Sequence, residues 1–217
     1  MMNLHNMLII VGVILLGISP VIGVPVDRDA FSPGAVDINF DIFPDGSIVG
    51  NHTPIIKQYK QWGARFSGPS DPPQAHLANG DYQQWYGPLA SPPNVLLASG
   101  GEIWVTFVDP VSGLPAATSA VGADIIFRDT GRTASLRVLN FMGETIGFTK
   151  TAPDTGTTDE VFMGIGFNNP RIHRAIFSFA PCDPVVGLDN LVFEPVPEPA
   201  TMALLGLGGL FLRRRRK

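Results

Sequence analysis

Asp37, Asn39 and Asp41 alternate along one stretch of the chain, and Asp45-Gly46 follows them. Oxygens at that density suit a hard cation such as Ca2+, which takes about six to eight of them. The spacing is not that of an EF-hand loop, because Ile42 and Ile48 stand where such a loop needs its sixth-place Gly and twelfth-place Glu. A strand with its acids on the solvent side accounts for the same residues without a metal. A second group is aromatic. Tyr82, Trp85 and Tyr86 lie in the long segment Gly68–Pro93, rich in Pro, Gly, Gln and Asn. Such rings stack on the apolar faces of sugars, and Asn79, Asp81, Gln83 and Gln84 could bond sugar hydroxyls, so the segment is a candidate ligand-binding loop. The competing account is that the rings anchor the loop to its domain.

Nothing in the sequence marks a catalytic residue. His52, His76 and His173 are far apart in sequence, and no H-E-x-x-H, G-x-S-x-G or G-x-x-x-x-G-K-[ST] pattern occurs. The many carboxylates allow a glycosidase pair in principle, but such a pair is defined by a separation in space. Cys182, between Pro181 and Asp183, has no identifiable His partner and reads as an inert sulfur. The expectation is a protein that is not an enzyme, with a secreted hydrolase as the weakest alternative.

The two ends carry transport signals. Met7 to Ile18 is an uncharged apolar run, followed by Ser19-Pro20 and by Val21 and Gly23, small residues at −3 and −1 of a cut before Val24. That run has the length of a signal-peptide core and is too short to span a bilayer, so residues 1–23 are expected to be a signal helix removed by signal peptidase. At the other end Pro197-Glu198-Pro199 precedes an apolar segment, Ala200 to Leu212, and the cations Arg213, Arg214, Arg215, Arg216 and Lys217. The prolines fix φ and remove backbone donors, which favours an extended strip of the kind a protease grips. The apolar helix would be about 20 Å long against a hydrocarbon core of about 30 Å. It holds the chain poorly, while the cations act as a cytoplasmic stop that leaves the rest outside.

Triplet, apolar segment and basic end, in that order, resemble the PEP-CTERM sorting signal. The resemblance implies that residues 195–217 are read by a membrane-embedded exosortase-type protease, which cuts at or near Pro197, Glu198 and Pro199. It implies a chain held transiently at the inner membrane and then delivered to the cell surface or released outside.

Five of the fifteen basic residues sit in the last five positions, so the net charge of −4 understates the acidity of what precedes them. Val24 to Val196 holds 10 Lys/Arg against 18 Asp/Glu, a net −8. Such a domain repels nucleic acid and anionic lipid as a whole and suits divalent cations or neutral ligands. One cysteine excludes an intrachain disulfide, so the core alone must hold the domain.

These groups must be positioned by strands. Ile38, Phe40 and Ile42 alternate with Asp37, Asn39 and Asp41, the period of a half-buried strand. Similar segments recur at Trp62–Ser67, Val95–Ser99, Glu102–Asp109, Val121–Arg128, Ala134–Phe141, Glu144–Thr149, Val161–Phe167, Arg174–Phe179 and Leu188–Phe193, separated by Pro-, Gly- and Asp-rich turns. About ten strands without a sustained helical period predict an all-β, antiparallel jelly-roll β-sandwich over residues 24–194, flanked by the signal helix and a short apolar C-terminal helix. Asn39-Phe40-Asp41, Gln58 to Phe66, Pro92 to Leu96 and Leu188 to Phe193 resemble bacterial carbohydrate-binding-like jelly rolls. That resemblance implies a structural calcium between a first-strand and a last-strand acid, here Asp41 and Asp189. The expected function is a non-enzymatic surface or matrix protein with a structural or adhesive role, in contact with extracellular polysaccharide. The alternative is a calcium-stabilised, lectin-like module.

Overall fold

The computed structural model describes residues 23–69, 71–77, 94–97, 100–126, 133–151, 160–180 and 187–196. The predicted signal and tail helices lie outside them. Thirteen strands occur among the described residues: β1 (Val24–Pro25), β2 (Val36–Ile38), β3 (Thr53–Pro54), β4 (Ala64–Ser67), β5 (Gln74–Leu77), β6 (Asn94–Leu97), β7 (Glu102–Phe107), β8 (Ala120–Ile126), β9 (Thr133–Leu139), β10 (Thr145–Lys150), β11 (Glu160–Gly166), β12 (Arg174–Ala180) and β13 (Gly187–Phe193). One sheet runs β1-β11-β8-β13-β6-β5-β3, with β2 also on β13, and the other runs β10-β9-β12-β7-β4. Every pairing is antiparallel. The chain passes repeatedly from one sheet to the other, and the result is the expected jelly-roll sandwich.

The inner faces follow the sequence alternation. Ile103, Val105 and Phe107 of β7 and Leu136 and Val138 of β9 are fully buried against Ala123 and Ile125 of β8 and Leu191 and Phe193 of β13. This apolar layer is the main source of stability, since burial contributes about 25 cal/mol per Å2 and no disulfide assists it. The core extends past the last strand to Val196, which is 7% exposed.

Three expectations shift. The strand expected over Val36–Ile42 pairs with β13 only to Ile38. Phe40 then takes φ 61°, and Ile42, expected inside, is 47% exposed in a hairpin that meets Ile48. The kink is held by polar groups: Asn39 Oδ1 accepts the Asp41 N–H at 3.1 Å, and Asn94 donates its side-chain amide to Phe40 O at 3.0 Å and Val49 O at 3.3 Å. Trp62 does not open β4, because Lys60–Trp62 forms a 310 turn closed by Gly63 at φ 95°. The long segment expected as a loop after Gly68 contains β5, which joins β3 to β6.

The outer face of the eight-stranded sheet is crossed by the N-terminal segment after β1. Arg28 bonds Asp124 and the Asn190 carbonyl, stands 3.5 Å from Asp37 and lies 4.9 Å from the Phe162 ring centroid. Room for this strap comes from a missing side chain, since a Cβ on Gly164 would fall 2.7 Å from Val26 O.

Candidate functional site

On the five-stranded sheet the outward side chains form three rungs across the strands. The central rung is Phe148, Arg137, Ile176, Trp104 and Ser67, from β10, β9, β12, β7 and β4 in turn. One neighbour is Leu139, Arg174, Thr106 and Arg65, and the other is Lys150, Ser135, Ser178 and Glu102. With strands about 4.8 Å apart, the face is about 19 Å wide. It is polar apart from Trp104, Phe148, Leu139 and the covered Ile176, an unusual place for a large indole.

Trp104 is fixed from two sides. Its Nε1–H donates to Glu102 Oε2 at 2.7 Å, while Glu102 Oε1 accepts the Ser178 hydroxyl at 3.0 Å. The Arg174 guanidinium carbon lies 5.5 Å from the ring centroid, and its Nε–H donates to Thr106 Oγ1 at 3.1 Å. A ring held this way is a fixed, partly exposed stacking surface bordered by hydrogen-bonding groups, which is how proteins grip the apolar face and hydroxyls of a sugar.

Sequence reading missed Trp104, although its signal was present. Period two in Glu102-Ile103-Trp104-Val105-Thr106-Phe107 puts the indole on the polar side with Glu102 and Thr106. That β12 and β9 would lie beside it, bringing Arg174 and Arg137, is a matter of topology.

The residues singled out from sequence are distributed otherwise. Tyr82, Trp85 and Tyr86, the sorting triplet Pro197, Glu198 and Pro199, the cations Arg213 to Lys217 and Cys182 lie outside the described residues. Asp37 and Asn39 line a groove of about 580 Å3 with Phe43, Trp62 and Asn190. Burial holds the Asp37 carboxyl above its ordinary range, and Asp124 adds to this while Arg28 opposes it. His52 and His76, remote in sequence, meet edge to face with centroids 4.5 Å apart. His173 instead stacks on Phe141, with Nδ1 2.8 Å from Ala116 O.

Asp41 and Asp189 both have partners. Asp41 Oδ1 accepts the Asn94 N–H at 2.9 Å, and Asp189, fully buried, accepts the Asn190 N–H at 2.8 Å opposite Asp124 of β8. Among the described residues no three His, Cys, Asp or Glu side chains cluster as a metal would need. Calcium also takes amide and backbone oxygens. Asn94 Oδ1 is such a donor, buried and without a hydrogen-bond partner, on the residue that binds Asp41. Because two carbonyls fix the NH2 end of that amide, a flip would not satisfy it. Asn94 Oδ1 is thus one buried oxygen, on a neighbour of Asp41, that a hard cation could use.

The C-terminal strand is tied down to its end. The Glu194 N–H donates to Ala120 O at 3.1 Å, the Thr118 hydroxyl donates to Glu194 O at 2.6 Å, and the Glu194 carboxylate accepts from Ser32 N at 2.6 Å and Ser32 Oγ at 2.7 Å. No helix among the described residues is long and apolar enough to cross a membrane.

No protein of curated function matches the sequence. Among solved structures, the K2 cleaved adhesin domain of Lys-gingipain is similar at 11% identity and a TM-score of 0.42, covering 73% of this chain and 98% of that one. The C-terminal family 22 carbohydrate binding module of Clostridium thermocellum Xyn10B is similar at 14% identity and a TM-score of 0.40, covering 80% and 99%. A mutant of the family 29 module CBM29-2, complexed with mannohexaose, is similar at 12% identity and a TM-score of 0.36, covering 73% and 89%. The PEP-CTERM protein-sorting motif matches residues 195–217. The chain thus carries a PEP-CTERM sorting signal directly behind its β-sandwich, the mark of an exported protein sorted to the cell surface.

Proposed function

We propose that the chain is a non-enzymatic surface protein whose sandwich adheres to extracellular polysaccharide through the outer face of the five-stranded sheet. The observation that carries this is the fixed indole of Trp104, held by Glu102 and flanked by Arg174 on a polar face. The ring is partly exposed and held in one orientation, which offers a sugar a pre-set stacking surface. Adhesion and lectin-like binding, separate expectations from sequence, become one reading here. The sorting tail supports the location: an exosortase-type protease would cut near Pro197 to Pro199 after a transient hold at the membrane. A calcium ion at Asp41, shared with Asp189, would stabilise the sheet that carries β13.

Polysaccharide pull-down with the full-length chain tests the reading. Binding is expected for the native chain and not for Trp104→Ala. Retention by the Trp104→Ala chain with loss in Trp85→Ala would move the site to the aromatic loop, and absence of any binding would remove the function.

A further inference from the structure

We propose that the polysaccharide held on this face is anionic, with carboxylates or sulfates along its chain; this rests on the sheet-face reading above. Of the ten Lys/Arg between Val24 and Val196, four stand on the three outer rungs: Arg65, Arg137, Lys150 and Arg174. Glu102 is the one acid in those rungs, and both its oxygens are engaged, by Trp104 and Ser178. The rest of the domain then has six basic residues against seventeen acidic ones. Charge is segregated: a cationic face on a strongly acidic body.

Among the described residues the ion pairs are those of Arg28 with Asp37 and Asp124, and none of the four cations pairs with a carboxylate. Placing cations along one face with no carboxylate partner among the described residues costs mutual repulsion that an anionic partner would relieve. Their chemistry narrows the partner further. Three are arginines, whose planar fork matches a carboxylate or sulfate with two parallel hydrogen bonds. Arg174 lies over the indole, 5.5 Å from its centroid, and is tethered by Thr106, so a sugar held against the part of Trp104 left open would bring its acid group within reach of the guanidinium. Arg65 and Arg174 occupy one rung two strands apart, about 10 Å, and Arg137 lies diagonal to Arg174. A linear polymer lying across the strands meets these charges in succession. The acidic remainder of the surface repels duplex nucleic acid and anionic membranes, which are broad polyanions, more than a thin chain confined to the face.

Titration calorimetry with the full-length chain decides this, using polygalacturonate, dextran sulfate, neutral xylan, duplex DNA and phosphatidylserine vesicles as probes. The uronate or sulfated polymer is expected to bind more tightly than xylan, weakening about tenfold or more between low and high salt. Arg137→Gln with Lys150→Gln, both at exposed positions, should remove most of that preference. Arg174→Lys should weaken binding although charge is kept. Equal binding of xylan, indifferent to these changes but abolished in Trp104→Ala, would overturn the anionic ligand and leave the sheet-face reading intact. Binding of DNA or vesicles as strong as that of the uronate would overturn it in favour of a general polyanion patch. No binding of any glycan would overturn both.

Discussion

Glu102 accepts the indole N–H of Trp104 at 2.7 Å from two residues away on the same strand, so acid and ring share the outer face of β7. The acid's second oxygen is taken by Ser178 of the neighbouring strand, which makes Glu102 a positioning residue rather than one that meets ligand. Trp104→Ala should cost about 2 kcal/mol of glycan binding, roughly thirtyfold in Kd. Its effect on stability should be about 1 kcal/mol, because the ring is not part of the core. Glu102→Ala should weaken binding by freeing the ring, with Glu102→Gln restoring it. Calorimetry and thermal melts of the three variants check this, and a Glu102→Ala chain that binds normally would refute the positioning role.

Glu160 gives the domain a pH dependence. Burial, with the charge and hydrogen bond of Asp124 adding to it and Arg28 opposing, raises its carboxyl to about 7. Between the ordinary value of 4.5 and about 7, folded Glu160 keeps a proton that the unfolded chain has lost. The folded state therefore binds more protons across that window, and this group's contribution falls as pH rises through it. His76, whose ionisation burial lowers, acts in the opposite direction below 6.5, so the comparison must be with a variant. Glu160→Gln should melt higher than the native chain at pH 8 and equally at pH 5. An equal difference at both values would show that Glu160 does not titrate in this window.

Calcium is testable at the same level. A cation near Asp41 and Asn94 Oδ1 would bind only the folded chain, adding about 2.7 kcal/mol at a hundredfold excess over Kd, or about 5–10 °C in melting temperature. EDTA should remove that increment. Asp41→Asn keeps an acceptor for the Asn94 N–H while deleting the charge, so it should abolish the response with little other cost; Asp189→Asn tests whether the second acid shares the ion. A melting temperature indifferent to calcium and EDTA would mean that the orphan amide oxygen holds water instead.

How much of this was legible depended on whether the information was local. Ile103, Val105 and Phe107 declared their inward face by alternation, and β7 to β13 lie within a few residues of where that pattern put them. The kink at Phe40 was not legible, because its φ of 61° is imposed by Asn94, which is 54 residues away. The short strands β1, β3 and β5 were missed for a related reason: two or four residues carry too little periodicity, and only their partners make them strands. The site followed the same rule. Trp104 was readable on the polar side of its own strand, while the cationic face needed Arg65, Arg137, Lys150 and Arg174 from four other strands to be set side by side. Net charge, summed over the chain, pointed to neutral or cationic ligands and concealed the segregation.

The junction of domain and tail yields the last prediction. Glu194 is bonded through its N–H, its carbonyl and its carboxylate, and Val196 packs in the core beside Gly63. Folding thus fixes the chain up to Val196, the residue before the sorting triplet in sequence. A protease acting there would find it at a fixed distance from the sandwich, with the prolines keeping it out of helix. Cutting within Pro197 to Pro199 should leave the melting temperature unchanged, since every described core residue precedes the cut. Deleting Glu194 to Val196 should lower stability by about 3 kcal/mol or more, from the lost Val burial and the broken bonds to Thr118 and Ser32. Intact-mass measurement of the extracellular form should end near Pro199. Replacing Pro197 and Pro199 by Ala should give a folded domain that keeps its C-terminus and stays with the membrane fraction. Normal release of that variant would show that recognition does not depend on the extended strip.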